Sequence, residues 1–214
     1  MPERHELTLA GEAMYALADR ALFWPARGRL LVADLHLGKG NVLRAAGIPV
    51  PSGGTGQDLA RLDALLRDTG ARSLWILGDF LHGPRHPGVD AAWLALREAH
   101  RKVEVAVLAG NHDRALAPAA YGLLALPGET RDGPFRFRHA PLRRPEPGGG
   151  HVVCGHVHPV VRVPALPGRH PAFLLDPAQT VLPAFSAFTG GSEAASDGHW
   201  IACVHGHLLA HEQR

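Results

Sequence analysis

The sequence predicts a fold of the α/β (α+β) class, with two β-sheets sharing one domain over residues 1–214. Three observations carry that expectation. Between residues 29 and 112, apolar runs of strand length alternate with runs of helical period. Beyond residue 134, short apolar stretches recur between turn residues, which suggests antiparallel strands able to pack as a second sheet on the first. The length stays below the roughly 250 to 300 residues at which single cores usually stop growing.

Each element has its own signal. "RLLVAD" (29–34) is a short apolar strand. "TGQDLARLDALLRDTG" (55–70) places Leu59, Leu62, Leu65 and Leu66 at helical spacing, with Thr55 and Gly70 as caps. "SLWILGD" (73–79) is a second strand, "VDAAWLALREAH" (89–100) a second helix and "VEVAVLAGNHD" (103–113) a third strand. Strand, helix, strand, helix, strand implies parallel pairing with right-handed crossovers. The second half supplies "FRFRH" (135–139), "HVVCGH" (151–156), "AFLLD" (172–176), "TVLPAF" (180–185) and "WIACV" (200–204) as strands, with "RRPEPGGG" (143–150) as a loop.

Composition removes several functional classes. An apolar fraction of 46% beside 20% charged residues suits a chain that buries a core and excludes a disordered one. The opening "MPERHELTLAGE" has no basic-then-apolar signal, and no apolar run nears the roughly 18 residues that cross a bilayer, so a cytoplasmic protein without a membrane role is expected. Cys154 and Cys203 cannot make a disulfide framework and read as small buried hydrophobes. The net charge of +2 leaves the partner open. Rare residue types are more informative: only Lys39 and Lys102 are lysines, only Asn41 and Asn111 are asparagines, and histidines number 15.

The apolar strands end in polar pairs. "ADLH" gives Asp34 and His36, "LGDFLH" gives Asp79 and His82, "AGNHD" gives Asn111, His112 and Asp113, and "GHVH" gives His156 and His158. In parallel sheets with helical crossovers, ligands bind beyond the carboxyl ends of the strands, so these groups should converge. Carboxylates, imidazoles and one amide oxygen, without thiolates, suit Mn, Fe or Zn in an open, reactive site. Gly78, Gly110 and Gly155 each precede a proposed ligand and let the backbone turn tightly there. His205, His207 and His211 in "CVHGHLLAH" fall outside the pattern and read as a terminal hairpin.

The ordered set D-x-H, G-D, G-N-H-D and G-H-x-H over about residues 30 to 160 resembles the calcineurin-like metallophosphoesterases. That resemblance implies a two-sheet β-sandwich flanked by helices and a centre of two divalent ions. It also implies Asp34, His36, Asp79 and His158 on one metal, and Asp79, Asn111, His156 and a further histidine on the second, with Asp79 bridging. His139, which ends "FRFRH" and is the only histidine between His112 and His151, is the candidate for that further ligand. The segments "ADLHLGKGNVLRAAGIPVPSGGTGQDLARL", "GDFLHG", "GNHDR", "GHVHP" and "LPAFSAFTGG" are similar to the ligase-associated DNA damage response endonuclease (PdeM) group. Ser186 stands where that pattern has glycine, and Gly83 where it has a small polar residue. This narrower likeness implies a Mn-dependent endonuclease acting on single-stranded DNA in a bacterial repair system, alongside a DNA ligase, a helicase and an exonuclease.

The implied chemistry is in-line attack on a phosphodiester by a hydroxide bridging two ions spaced roughly 3.5 to 4 Å apart. His112 would protonate the leaving oxygen or stabilise its charge, with Asp113 orienting its ring. Asn111 supplies an oxygen ligand without adding negative charge where a phosphate must enter. Lys39, three residues after His36, is expected to touch phosphate. Arg44 and Arg114, with Arg143 and Arg144, extend a basic rim. His82 fits a substrate contact or support of a ligand equally well. Phe185 and Phe188 read as core rather than as base-stacking surfaces. Competing functions are hydrolysis of a small nucleotide-like phosphoester or pyrophosphate, and a scaffold without activity.

Overall fold

Leu30 and Val32 join one apolar cluster and Leu31 and Ala33 another. The neighbouring strands repeat the alternation, Leu74 and Ile76 against Trp75 and Leu77, then Val105 and Val107 against Ala106 and Leu108. Strands buried on both faces read as unbroken apolar runs, which is how they stood out in the sequence.

The structure is a computed structural model that describes residues 3–144, 148–195 and 198–212. Its first sheet contains β1 (Arg4–Leu9), β2 (Glu12–Leu17), β3 (Ala21–Trp24) and β4 (Arg29–Val32). Helices α1 (Lys39–Ala45) and α2 (Gly54–Thr69) then lead to β5 (Ser73–Leu77), and α3 (Pro87–Ala99) leads to β6 (Glu104–Leu108) and β7 (Leu124–Leu126). The strands lie side by side in chain order. They pair antiparallel from β1 to β4 and parallel from β4 to β7.

The two predicted helices form α2 and α3, each shifted one or two residues toward the N-terminus. Gly70 caps α2 in the left-handed conformation as expected, but Thr55 is not its N-cap. That position belongs to Gly53, also left-handed, and the Thr55 hydroxyl instead accepts the Gly38 amide at 3.2 Å. Gly54 has to follow Gly53 without a side chain, since a Cβ there would lie 1.7 Å from the Phe188 ring.

The second sheet holds β8 (Glu129–Asp132), β9 (Phe135–Arg138), β10 (His151–Cys154), β11 (Pro159–Val161), β12 (His170–Asp176), β13 (Gln179–Val181), β14 (Ser192–Glu193), β15 (Trp200–Val204) and β16 (His207–His211). Its order is β14-β11-β12-β13-β10-β9-β8, with β15 on β12 and β16 on β15. The terminal hairpin expected around His205 is β15–β16. The expectation of antiparallel pairing needs correcting at the centre, where β10 runs parallel to both β9 and β13. Between β9 and β10 the connection is far longer than a tight hairpin, room enough for the chain to return to the same end, and between β10 and β13 two further strands, β11 and β12, intervene. Residues 145–147 of the loop expected at 143–150 lie outside the described residues. As a result, the carboxyl ends of β9 and β10 reach one edge together.

Leu31, Trp75 and Leu77 of the first sheet pack on Phe135, Phe137, Val153, Phe173 and Ile201 of the second, forming the core between the sheets. Leu59, Leu62, Trp93 and Leu96 of α2 and α3 cover the other face of the first sheet. Among the described residues no helix is long and apolar enough to cross a membrane.

Candidate metal centre

Five polar residues at the strand ends adopt a conformation that side chains rarely tolerate. Asp34 (φ 56°), His36 (φ 46°), Asp79 (φ 50°), His156 (φ 74°) and His158 (φ 49°) all lie in the left-handed region. Each costs roughly 1–2 kcal/mol relative to a right-handed residue, and such strain persists only where neighbours impose it. Here the Asp34 amide donates to the Gly78 carbonyl at 3.1 Å and the His36 amide to the Asp79 carbonyl at 2.8 Å, locking the two turns together. The bend turns each side chain off its strand axis and toward a common point.

At that point the carboxylates divide their oxygens. Asp79 Oδ1 accepts the His112 amide at 2.9 Å, and Asp34 Oδ2 accepts the His156 amide at 2.9 Å. The free oxygens face imidazoles: Asp79 Oδ2 lies 3.8 Å from His36 Nε2 and 3.6 Å from His139 Nε2, while Asp34 Oδ1 lies 3.5 Å from His158 Nε2. His36 Nε2 and His158 Nε2 are 3.2 Å apart, and His139 Nε2 is 3.1 Å from His156 Nδ1. Two donor groups result, Asp34–His36–Asp79–His158 and Asp79–His139–His156, each with its donor atoms within 4.8 Å of one another. Asp79 belongs to both.

These donors fit divalent cations. Asp34 Oδ1 is fully buried and has no hydrogen-bond partner among the described residues, an arrangement that costs free energy unless a positive charge satisfies it. The buried imidazoles are held in the neutral form that ligates metal. Burial, then the nearby charge of Lys39, lowers His36 to about 2. Burial also lowers His156, with His139 adding to the effect.

The glycines before the candidate ligands matter mostly because they lack a side chain. A Cβ on Gly78 would sit 2.1 Å from His139 Nδ1, one on Gly110 would sit 2.2 Å from Asp79 Oδ1, and one on Gly155 would sit 2.5 Å from Asp34 Oδ2. Of the three, only Gly78 has a positive φ, at 89°. The expectation of tight turning therefore holds at Gly78, and at the other two close approach is what requires glycine.

Asp113 departs from its expected task. Its buried carboxylate accepts the amides of Gly110 (2.8 Å), Leu81 (2.9 Å) and Phe80 (3.2 Å), so it ties the Asn111 loop to the Asp79 loop instead of orienting the His112 ring. Burial raises its pKa against the pull of those amides. The His112 ring is exposed and stacks on His82 with centroids 4.7 Å apart. His82 Nδ1 lies 3.2 Å from His36 Nδ1, on the side of that ring away from Asp79 and His158, and burial lowers His82 to about 4. With His36 Nε2 turned to the cluster, its Nδ1 carries the proton and donates to His82, which fixes the ring. Asn111 is exposed with its amide 3.4 Å from His156 Nδ1, and a half-turn of that amide presents its oxygen there instead. His151 stands apart from these groups, bonded to Thr180 and Pro177.

Comparison with known proteins places this geometry. Residues 29–158, more than half of the chain, match the calcineurin-like phosphoesterase family. The chain belongs to that family. The nuclease MPE of Pseudomonas putida is similar over 97% of this chain and 100% of its own, at 36% identity and a TM-score of 0.84. The phosphoesterase Yfce of E. coli is 18% identical over 87% of this chain and 99% of its own, with a TM-score of 0.44. A protein of unknown function from Aquifex aeolicus is 18% identical over 61% of this chain and 78% of its own, with a TM-score of 0.45. A search of curated protein sequences finds no match.

As a calcineurin-like phosphoesterase the chain is a metal-dependent enzyme, and its remaining expected residues sort by position. Lys39 is half-buried; burial lowers its pKa, and the opposing pull of Asp34 and Asp79 places it in the field of the site. Arg44 is exposed and spends its guanidinium on the Pro51 carbonyl and the Asn41 amide oxygen. Arg114, Arg143 and Arg144 are exposed. Phe185 is fully buried in the helix-side core, while Phe188 is half-buried with its ring over Gly40 and Gly54. Cys154 and Cys203 are buried and unpaired, with both thiols raised to about 12 by burial.

Sequence reasoning gave Asp58 no role. It is 3% exposed and bonds the Ala187 amide and Arg61. The signal was available, because Asp58, Leu62 and Leu65 fall on one face of α2, and a carboxylate on an apolar face needs a partner.

Proposed function

We propose that this phosphoesterase is a single-domain, binuclear-metal phosphodiesterase that cuts single-stranded DNA. One ion is held by Asp34, His36, Asp79 and His158 and the other by Asp79, Asn111, His139 and His156. The carrying observation is that two donor groups share Asp79 at an edge where Asn111 and His112 are exposed, so a polymer can reach them. Similarity to a protein described as a nuclease, over nearly the whole chain, supports nucleic acid as the substrate.

Two bound divalent ions supply Lewis-acid polarisation of the phosphodiester and a strong nucleophile at neutral pH. The chain does the rest. Asp34 and Asp79 keep one oxygen each for the ions because backbone amides occupy the other. His82 orients His36. His112, on the exposed rim, gives a proton to the leaving oxygen. Lys39 brings a positive charge to the phosphate, and Arg44 and Arg114 extend that charge along the rim. Manganese is the ion we favour from a donor set that also accommodates iron or zinc. The motif resemblance supports a role in DNA repair with a ligase, a helicase and an exonuclease, and we place that role in the cytoplasm.

The test offers the purified protein, with Mn, single-stranded circular DNA and a panel of nucleotides. Linearised and fragmented circles are expected. Nucleotide hydrolysis with intact circles would replace the polymer by a small substrate, and no hydrolysis of either would overturn both substrate readings.

A further inference from the structure

The segment 184–192, between β13 and the start of β14, touches the metal centre at two separate places. Ala184 bridges to Ala33, the Phe185 amide donates to the Ala33 carbonyl at 2.8 Å, and the Ser186 amide donates to the Asp34 carbonyl at 3.2 Å. Six residues later the Ser192 amide donates to the His158 carbonyl at 3.1 Å. Asp34 and His158 are both left-handed, and both belong to the first donor group. A bond to the carbonyl of such a residue fixes the orientation of the following peptide, and so holds a conformation the residue would otherwise leave. Among the described residues, no hydrogen bond joins this segment to His139 or His156 of the second group.

The segment is anchored from behind. Both oxygens of Asp58 accept the Ala187 amide, at 3.2 and 3.3 Å, and Asp58 pairs with Arg61 at 2.9 Å. Arg61 also donates to the Phe185 carbonyl and lies over the Phe185 ring, and Arg20 donates to the Ser186 carbonyl at 3.1 Å. The Phe188 ring fills the notch left by Gly54 and Gly40. At the far end Gly191 passes so close that a Cβ would lie 2.3 Å from Val160 and 2.7 Å from the His158 carbonyl. Ser186, one of the two departures from the endonuclease pattern, contributes a hydroxyl that accepts the Phe188 amide at 3.4 Å.

We propose that residues 184–192 are a brace for the Asp34–His158 half of the metal centre, and that Asp58 is the positioning residue that holds the brace in place. The inference rests on the reading that the first donor group binds an ion. Loss of the brace should release Asp34 and His158 from their strained turns while leaving the Asp79–His139–His156 group intact.

The experiment titrates metal-free protein with Mn by calorimetry and follows the bound ions by electron paramagnetic resonance. It uses the wild type, Asp58→Asn and Gly191→Ala, with His36→Ala and His139→Ala marking loss of the first and second ion. Leu65→Ala, a buried helix position off the brace, serves as a control for general destabilisation. Asp58→Asn and Gly191→Ala are expected to weaken the first ion by roughly 10 to 100-fold, the range for residues that orient ligands, and to give the His36→Ala spectrum with the second ion unchanged. The two substitutions lie at different points of the brace, so if one unfolds, the folded one decides. A folded variant that binds both ions as the wild type does would overturn the brace. Equal weakening of both ions, or the same loss in Leu65→Ala, would overturn it as well. A wild type that binds no Mn sinks the metal reading itself, a different failure from the preceding ones.

Discussion

Asp34 and Asp79 divide their carboxylates in the same way, each spending one oxygen on the amide of a residue from another strand end, His156 and His112, at 2.9 Å. The amides fix both carboxylates, so the remaining oxygens are aimed before any ion arrives. The symmetry ends there, because Asp79 serves both donor groups and Asp34 only the first.

Asp79→Ala should therefore be the most damaging single change at the centre. It removes a ligand from both groups and the acceptor that holds the His112 amide. Hydrolysis should fall below detection, and elemental analysis should find fewer than one ion per chain. Two ions per chain in the folded variant would show that Asp79 does not bridge.

Gly78→Ala should imitate a ligand deletion without touching a ligand. The added methyl would lie 2.1 Å from His139 Nδ1, in a residue with φ of 89°. The ring must leave its bond to the Leu77 carbonyl, 3.0 Å long. The expected variant loses the second ion as His139→Ala does, and a further roughly 1–3 kcal/mol of stability goes to backbone strain. Metal content and thermal melting check the two parts. A variant with two ions and an unchanged melting temperature would show that the turn relaxes around the methyl.

Much of this centre was legible because its ligands follow apolar strands directly, and a strand end fixes where the next side chains go. Asp34, His36, Asp79, His156 and His158 could be placed that way, and His139 was picked out, at the end of "FRFRH", only once the family resemblance implied a further histidine. Parallel pairing of β10 with β9 was not legible, because a four-residue apolar run carries no direction. Three of the first four strands, β1 to β3, were missed for different reasons: β1, "RHELTL", is half-exposed and lacks a clear apolar run, whereas β3, "ALFW", is apolar and largely buried but only four residues long. The partner of Asp113 was misread for another reason. Adjacency in sequence to His112 suggested a side-chain pair, whereas the buried carboxylate found three backbone amides nearer to hand. Thr55 does not cap α2, because Gly53 holds that position and the Thr55 hydroxyl accepts the Gly38 amide instead.

The metal-free protein should lose stability as pH falls below neutrality. His36, lowered to about 2, and His82, lowered to about 4, stay neutral in the folded chain, whereas unfolded histidines protonate near 6.5. Below that value the unfolded state binds more protons, so stability is full above pH 6.5. It declines through the interval down to about 4 for His82, and down to about 2 for His36. His36 alone contributes a slope of up to about 1.4 kcal/mol per pH unit there. His151 and His156, also lowered by burial, act in the same direction. Asp58 and Asp113, raised by burial, oppose them only as pH climbs from the ordinary carboxylate range toward their folded values. Urea unfolding between pH 5 and 7.5 measures the slope, and His36→Gln should flatten it. A stability that rises toward pH 5 would contradict the neutral, buried state of these rings.

His112 separates chemistry from binding, because its backbone and side chain have different tasks. The amide holds Asp79 Oδ1, while the exposed ring stacks on His82. His112→Ala keeps the amide, so both ions and the fold should survive. The ring is assigned to the leaving oxygen, and a general acid contributes roughly 10² to 10⁴-fold. The loss should therefore be large on single-stranded DNA, whose alkoxide leaving group needs a proton, and much smaller on a nitrophenyl phosphodiester, whose phenolate leaves without one. Comparing kcat for the two substrates in wild type and variant gives the answer. Equal losses on both would move the ring's role to stabilising phosphate charge, and a loss of metal would mean that His112 belongs among the ligands.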